Sequence, residues 1–160
     1  MSVKSRTPAD PLIELERFLP YRLNVVAEAV SRDLSQLYAT RHGISIPEWR
    51  VIATLGQYDR MTAKDIGAHS RMHKTKVSRA VARLTERGCL SRSSNSDDKR
   101  EAFLELTADG RAIYDDLVPR ALAFEASLSD RLTKTEKQAL EAILAKLDSS
   151  KAPIDQGGNT

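Results

Sequence analysis

Cysteine, aromatic side chains and long apolar runs are all scarce in this sequence of 160 residues. Cys89 is its single cysteine, so no disulfide can form within the chain, which suits a reducing compartment. Aromatic residues make up 5% of the chain, too few for the base-stacking platforms of single-strand binders. No run approaches the roughly 20 apolar residues of a membrane span, and the first ten residues lack the apolar core of a signal peptide. We therefore expect a cytoplasmic protein that does not enter a membrane.

Sets of residues for catalysis or metal binding are also lacking. His69 and His73 have metal-like spacing, but a turn between two predicted helices separates them, without a cysteine or carboxylate close by. Asp97 and Asp98 are neighbours on a polar hairpin tip, where two carboxyl groups cannot be desolvated together for acid–base work. Cys89 follows a predicted helix end and precedes Leu90, which favours a buried, inert thiol. We predict that the protein is not an enzyme and uses no cofactor or metal.

Charge is distributed unevenly along the chain. Residues 69–100 hold nine Lys/Arg and three Asp/Glu, a net charge of +6, whereas the remainder holds 16 Lys/Arg and 19 Asp/Glu, a net charge of −3. A basic segment on a mildly acidic body indicates a polyanionic partner at one place. Charge alone leaves a solvated basic face equally open.

Two helices are predicted at the start of the chain, and a third follows them. Asp10-Pro11 is a helix start, and Pro20 should interrupt or kink that first element. Apolar residues then recur at three- and four-residue steps over residues 21–41, and Gly43 ends that helix. Ser45 and Glu48 form a capping box for a helix that runs to about residue 58.

The central stretch, residues 62–100, predicts two short helices, then strands around a polar tip. Thr62 caps the first of these helices, and Met72 plugs the core between the two. The second runs over about residues 74–87 and stops at Gly88. Residues 102–106 alternate as a half-buried strand does. This order is typical of a helix-turn-helix followed by a β wing.

Opposite sides of the helix at residues 74–87 differ in chemistry. Val77, Ala80, Val81 and Leu84 share one face at 100° per residue. The other face carries small side chains and cations, namely Thr75, Ser78, Arg79 and Ala82, flanked by Lys76 and Arg83. Small side chains let a helix sit deep in a major groove about 12 Å wide, where cations reach base edges or phosphates. This side is therefore the predicted reading face.

Helices are also predicted after the wing, one capped by Thr107 and containing Pro119, the other opened by the capping box of Thr133 and Glu136. The predicted fold class is mainly α with a small antiparallel β wing (α+β), a winged helix-turn-helix head plus a helical dimerisation region formed by the N- and C-terminal helices. The apolar stripes of the terminal helices exceed what one small head can cover, so a second subunit should cover them. The predicted dimerisation residues are Leu12, Leu15, Phe18, Leu19, Phe124, Leu128, Leu140, Ile143 and Leu147.

Three segments resemble the multiple-antibiotic-resistance regulator (MarR) family of bacterial transcription factors. Residues 46–52 (IPEWRVI) resemble the opening of that family's second helix, and residues 76–88 (KVSRAVARLTERG) resemble its recognition helix. Residues 98–100 (DKR), followed by residues 104–107 (LELT), resemble its wing signature. The wing signature is fairly specific, whereas many helix-turn-helix proteins share the recognition-helix pattern. The resemblance covers roughly residues 12–147.

The resemblance implies a homodimer whose winged heads bind a palindromic operator in double-stranded DNA, with Arg100 in the minor groove and Asp98 positioning it. It implies one domain over residues 1–148, with the head at about 45–107 and dimerisation helices at about 11–42 and 108–148. Residues 149–160 are polar and contain Gly and Pro, which predicts a disordered tail. Family members mostly repress, and release DNA when a small, often aromatic ligand binds. The predicted DNA contacts are Thr62, Arg71, Lys74, Thr75, Lys76, Ser78, Arg79, Arg83, Asp98, Lys99 and Arg100.

Three residues before the recognition helix depart from the family pattern. Ser70 stands where Leu is common, Arg71 where Gly is common and His73 where a capping Asp is common. His73 is a poorer N-cap, which predicts a frayed or water-capped helix start, and Arg71 adds a phosphate contact.

A ligand site is placed by the resemblance where the first two helices meet. An aromatic wall with a cation there suits an aromatic carboxylate or its coenzyme A thioester. The predicted ligand residues are Tyr21, Arg22, Tyr38, His42 and Trp49, with the alternative that Tyr38 and Trp49 are simply core. The alternative function is a winged-helix interaction module whose basic face binds an acidic protein.

Overall fold

The computed structural model describes residues 12–96 and 101–148. The chain divides into two compact units, Met1–Leu117 and Val118–Thr160. The elements are α1 (Leu19–His42), α2 (Ile46–Tyr58), β1 (Arg60–Thr62), α3 (Ala63–Ser70), α4 (Lys74–Glu86), β2 (Leu90–Ser94), β3 (Ala102–Leu106), α5 (Ala108–Ser129) and α6 (Lys134–Leu147). The predicted fold class, mainly helical with a small antiparallel sheet, is confirmed.

The helices of the described ranges are all too short or too polar to cross a membrane. The predicted tail, residues 149–160, lies outside those ranges.

The start of the described chain differs from the prediction. Residues 12–18 contain only a turn, so the described part of the chain has no helix before α1 begins at Leu19. Pro20 instead lies in the first turn of α1, where its missing N–H is not needed and its fixed φ suits the helix. The predicted end of α1 is confirmed, since Gly43 has φ 61° and its N–H bonds to the carbonyl of Ala39.

Side-chain caps set the starts of five helices, the four below and α5. Ser45 and Glu48 close the predicted capping box of α2, and Thr133 and Glu136 close that of α6. Thr62 caps α3. His73 caps α4 as well, since its Nδ1 accepts a hydrogen bond from the N–H of Thr75 at 3.3 Å. The predicted frayed or water-capped start of α4 is therefore wrong.

The sheet has three strands in the order β1-β3-β2, all antiparallel. The hairpin of β2 and β3 was predicted, but β1 was not. Thr62 of β1 is paired with Phe103, and Leu90 of β2 with Leu106. Because α3 begins at the residue after β1, this pairing joins the start of α3 to the wing.

The core of the first unit lies under the helix-turn-helix. It contains Tyr38, Ile44, Val51, Ile52, Leu55, Ile66, Met72, Val77, Ala80, Val81, Leu84, Cys89, Leu90, Leu104 and Leu117. Met72 fills the predicted position, with 8% of its surface exposed. Cys89 is buried, and that burial raises the pKa of its thiol, which keeps the sulfur protonated and unreactive.

The start of α5 is fitted tightly against the end of α4. Thr107 caps α5 as predicted, since its Oγ1 accepts a hydrogen bond from the N–H of Gly110 at 3.2 Å and donates one to the carbonyl of Gly88 at 2.6 Å. A Cβ on Gly110 would lie 2.2 Å from the carbonyl oxygen of Cys89. That oxygen also accepts from the N–H of Thr107, so it has little freedom to move.

Replacing Gly110 with Ala should therefore lower the free energy of unfolding by about 3 kcal/mol, the upper end of ordinary overpacking. The urea midpoint at an unchanged m-value measures this loss. Gly67→Ala in α3 is the matched control, because its Cβ would meet nothing nearer than 3.4 Å. The control should leave stability unchanged or raise it by up to about 1 kcal/mol, since Ala favours a helix over Gly. Equal midpoints for both variants would show that the approach at Gly110 is not tight.

Candidate nucleic-acid interface

The two faces of α4 differ as the sequence predicted. Val77, Ala80, Val81 and Leu84 are each 3% exposed or less. The opposite side is exposed and carries Thr75, Lys76, Ser78, Arg79 and Arg83. Burial of the first set fixes the helix on the head and leaves the second set facing solvent.

The cations of α4 form no ion pairs within the described ranges. Lys74, Lys76, Arg79 and Arg83 make no ion pair with any residue of 12–96 or 101–148. Arginines elsewhere in the first unit do pair, as the contacts of Arg41 with Asp116 and of Arg111 with Asp59 illustrate. The charge of the outer face of α4 is thus available to a polyanion. Glu86, at the far end of the helix, is its only acidic residue.

The structure corrects the role predicted for Thr62. Its side chain is 4% exposed, and its hydroxyl accepts from the N–H of Asp65 at 3.1 Å and donates to Oδ2 of Asp65 at 2.8 Å. A buried hydroxyl engaged in a helix cap cannot reach DNA, so the predicted contact through this side chain is wrong.

Arg71 lies at the end of α3, exposed, in the left-handed region with φ 55°. Non-glycine residues seldom adopt this conformation, which explains why Gly is common there in the family. The predicted wing contacts Asp98, Lys99 and Arg100 lie outside the described residues and stay predictions.

A cavity of about 570 Å³ lies between α3, α4 and the wing strands. Apolar side chains form much of its wall, among them Met72, Val77, Val81 and Leu104. Lys64, Lys74 and Arg92 bring positive charge to the lining, Glu101 one negative charge, and Ser78 a hydroxyl. The cavity could not be predicted from the sequence, because its wall is assembled from four elements and none of them has a pocket signature of its own.

The five predicted ligand residues do not meet in one protomer. Tyr38 is 2% exposed and stacks on Trp49, with ring centroids 5.6 Å apart and planes inclined by 23°. This is the core role that the sequence left open for the pair. Tyr21 and Arg22 are exposed near the other end of α1, about 25 Å from Tyr38 at 1.5 Å of helix rise per residue.

Asp116 is the partner that sequence analysis did not find for His42. Its Oδ2 lies 2.8 Å from Nε2 of His42, and its two oxygens accept from Arg41 at 2.9 and 3.0 Å. His42 thus links α1 to α5.

Metal-binding groups of three or more His, Cys, Asp or Glu do not occur in the described parts of the chain. His69, one of the two histidines with metal-like spacing, has its Nε2 2.8 Å from the hydroxyl of Tyr58.

Comparison with known proteins agrees with this architecture. The MarR family model matches residues 44–102, which span the helix-turn-helix and most of the wing. The HTH-type transcriptional repressor Rv2887 of Mycobacterium tuberculosis is 26% identical over 133 residues, which are 82% of this chain and 92% of that protein.

Two solved structures share the fold over most of their length. A MarR/EmrR family transcriptional regulator from Acinetobacter sp. ADP1 superposes with a TM-score of 0.76 at 28% identity, covering 84% of this chain and 95% of that one. The MarR family regulator Sco3205 of Streptomyces coelicolor, solved in complex with DNA, gives 0.75 at 20% identity, covering 92% and 95% of the two chains. The winged head, the MarR family match over residues 44–102 and the similarity to these regulators together show a MarR-like winged helix-turn-helix head, the kind of DNA-binding head that transcriptional regulators carry.

Proposed function

We propose that the protein is a homodimeric repressor that binds a palindromic operator through α4 and the wing and leaves it when a small aromatic acid binds. The observation that carries the proposal is the outer face of α4, where small side chains accompany cations that form no ion pair with any described residue. Such a face can approach the floor of the major groove, and its N-terminal part is the part that reads bases in helix-turn-helix proteins.

A second copy of this chain is the proposed cover for the apolar side chains of the terminal segments. Leu12, Leu15, Phe18 and Leu19 are between 41% and 70% exposed. In the second unit, Leu140, Ile143 and Leu147 of α6 are between 43% and 51% exposed, while Phe124 and Leu128 of α5 are half-buried. Several exposed apolar side chains on one segment mark an interaction site more often than single ones do. A two-fold dimer would place half-sites about 10 base pairs apart.

Repression is the proposed regulatory sign. The related protein from Mycobacterium tuberculosis is named a transcriptional repressor. A dimer that occupies two successive major grooves would compete with other proteins for the promoter.

The cavity beside α4 is the proposed ligand site, in place of the set predicted around Tyr38 and Trp49. Its apolar wall would hold a ring, and Arg92, whose planar fork fits a carboxylate, would pair with the acid group, with Lys64 and Lys74 adding positive charge nearby. The phosphates of a coenzyme A thioester would extend onto exposed cations nearby. Because Ser78 belongs both to the cavity lining and to the predicted reading face, a ligand in the cavity should disfavour docking on DNA.

Two variants separate the ligand site from the reading face. Benzoate and its coenzyme A thioester serve as the ligand probes. The DNA in the binding assay is a duplex that the wild-type protein has enriched from a random library, which we call the enriched duplex. A probe that binds should raise the melting temperature and weaken DNA binding. Arg92→Ala should lose the thermal shift that benzoate produces, because the carboxylate of benzoate loses its cation. Arg83→Ala, outside the cavity, should keep the shift while binding DNA more weakly.

Either of two results would contradict this proposal. One is a wild-type protein that enriches no duplex. The other is a thermal shift that Arg92→Ala leaves unchanged, which would place the ligand elsewhere. The alternative of a protein-interaction module makes a different prediction. The wild type would capture an acidic protein specifically, and Ser78/Arg79 double variants would lose that capture while still binding DNA.

A further inference from the structure

The end of α1 is held from two sides. On one side, Asp116 of α5 binds the side chains of Arg41 and His42. On the other, Arg87, the residue that follows α4, donates from Nη2 to the carbonyl of His42 at 2.6 Å and from Nη1 to that of Gly43 at 3.3 Å. We call this group of five residues the α1–α4 junction.

Arg87 suits this place for three physical reasons. Carbonyls in the last turn of a helix lack partners within it, so the oxygen of His42 needs a donor. The C-terminal end of α1 carries partial negative charge, which attracts a guanidinium. The planar fork of arginine presents donors on two nitrogens at fixed spacing, so one side chain can hold two adjacent carbonyls in a single geometry, which the one flexible nitrogen of lysine does not fix.

The junction lies between the helix that carries the exposed apolar surface and the helix that carries the reading face. α4 has 13 residues and is about 20 Å long, so a rotation of about 5° at its C-terminal end moves its N-terminal end by roughly 2 Å. Hydrogen bonds to base edges tolerate only a few tenths of an ångström. Contacts with phosphates through long, flexible side chains tolerate more.

We propose that Arg87 is a positioning residue for operator recognition, which fixes α4 to the end of α1 and thereby sets the distance and angle between the two reading helices of a dimer. This inference rests on the proposed dimeric DNA-binding function. Arg87 acts through α4 and does not itself touch DNA. The competing assignment is a direct phosphate contact, because Arg87 is an exposed cation next to a DNA-reading helix.

Salt dependence distinguishes the two assignments. Dissociation constants of the wild type, Arg87→Gln and Arg87→Lys are measured at several salt concentrations on the enriched duplex and on a shuffled duplex. A positioning role predicts that Arg87→Gln weakens binding to the enriched duplex about tenfold or more, similar to weakening one bidentate base contact per head. Binding to the shuffled duplex and the slope of log K against log salt should not change. Arg87→Lys should behave like Arg87→Gln, because a single nitrogen on a flexible stem does not reproduce the two donors that arginine holds at fixed spacing.

The spacing of half-sites supplies a second readout. In duplexes whose half-sites are moved apart or together by one base pair, the wild type should lose more affinity than Arg87→Gln, since the variant no longer holds its heads at one distance. Arg83→Ala, a predicted direct contact on α4, is the control and should keep the wild-type spacing preference. If Arg87→Gln does not fold, the fold-retaining Arg87→Lys variant gives both readouts.

Three outcomes are decisive. A slope that falls by about 1 per Arg87 removed, with equal losses on both duplexes, would make Arg87 a phosphate contact and overturn the inference. Wild-type behaviour of Arg87→Lys on every duplex would overturn it too. A wild-type protein that does not discriminate the two duplexes would instead reject the proposed function on which the inference rests.

Discussion

Binding of the enriched duplex should weaken by about 10³- to 10⁵-fold when salt is raised from about 50 to about 200 mM, the loss expected for six to ten phosphate contacts. Each predicted head offers five cations for phosphates, namely Lys64, Arg71, Lys74, Lys76 and Lys99, and a dimer doubles that number. Because α4 holds its cations without ion-pair partners among the described residues, they need not break existing contacts to meet DNA. Filter binding or fluorescence anisotropy across a salt series measures the slope of log K against log salt.

A matched pair of variants assigns that slope to the head. Lys76→Gln removes one cation from each α4 and should reduce the magnitude of the slope by about 2 in a dimer. Lys137→Gln removes a cation from α6, where Lys137 lies 3.6 Å from Asp130, and should leave the slope unchanged. Equal effects of the two variants, or a slope close to zero in the wild type, would contradict a phosphate-binding head.

Arg79→Ala should weaken binding to the enriched duplex by about 1–3 kcal/mol per head if Arg79 forms a bidentate pair with a guanine. Two heads act together in a dimer, so the expected total is about 2–6 kcal/mol, or roughly 30-fold to 10⁴-fold. Arg79 is exposed on α4 between buried Val77 and buried Ala80, which orients its side chain away from the core. Competition binding at fixed salt measures the change.

The conservative variant Arg79→Lys is the control for charge. It keeps the cation but not the planar pair of donors, so it should preserve the salt slope while losing most of the preference for the enriched duplex. If Arg79→Ala weakens binding equally on enriched and shuffled duplexes, Arg79 is only a phosphate contact and the reading face must be assigned to other residues.

Local signals in the sequence were sufficient for most of the helices and for the orientation of α4. The capping box of Ser45 and Glu48, the left-handed Gly43 and the faces of α4 each depend on residues within a few positions of one another. β1 was missed because three residues are too few to show alternation, and its strand state comes from pairing with β3. Side-chain contacts between distant parts of the chain were missed too, because no local pattern indicates them. Arg41 and Asp116, for example, are 75 positions apart.

The segment before α1 shows how a correct local signal can still fail. Asp10-Pro11 and the spacing of Leu12, Leu15 and Phe18 are typical of a helix, yet residues 12–18 form only a turn. Short helices are stabilised mainly by packing of their apolar face. These three side chains are 41–70% exposed in the single chain, so that packing is missing. Thr62 illustrates the opposite case, in which a polar residue near the reading helix serves the fold instead of DNA.

Interference by methylation at guanine N7 tests most directly whether α4 reads the major groove. N7 lies on the major-groove edge of guanine, where a bidentate arginine would bind. We predict two groups of interfering guanines in the enriched duplex, about one helical turn (about 10 base pairs) apart, with interference at one guanine of each group lost in Arg79→Ala. Binding that is insensitive to N7 methylation throughout the duplex, or an interference pattern that Arg79→Ala leaves unchanged, would contradict the account of α4 as the reading helix with Arg79 as its guanine contact.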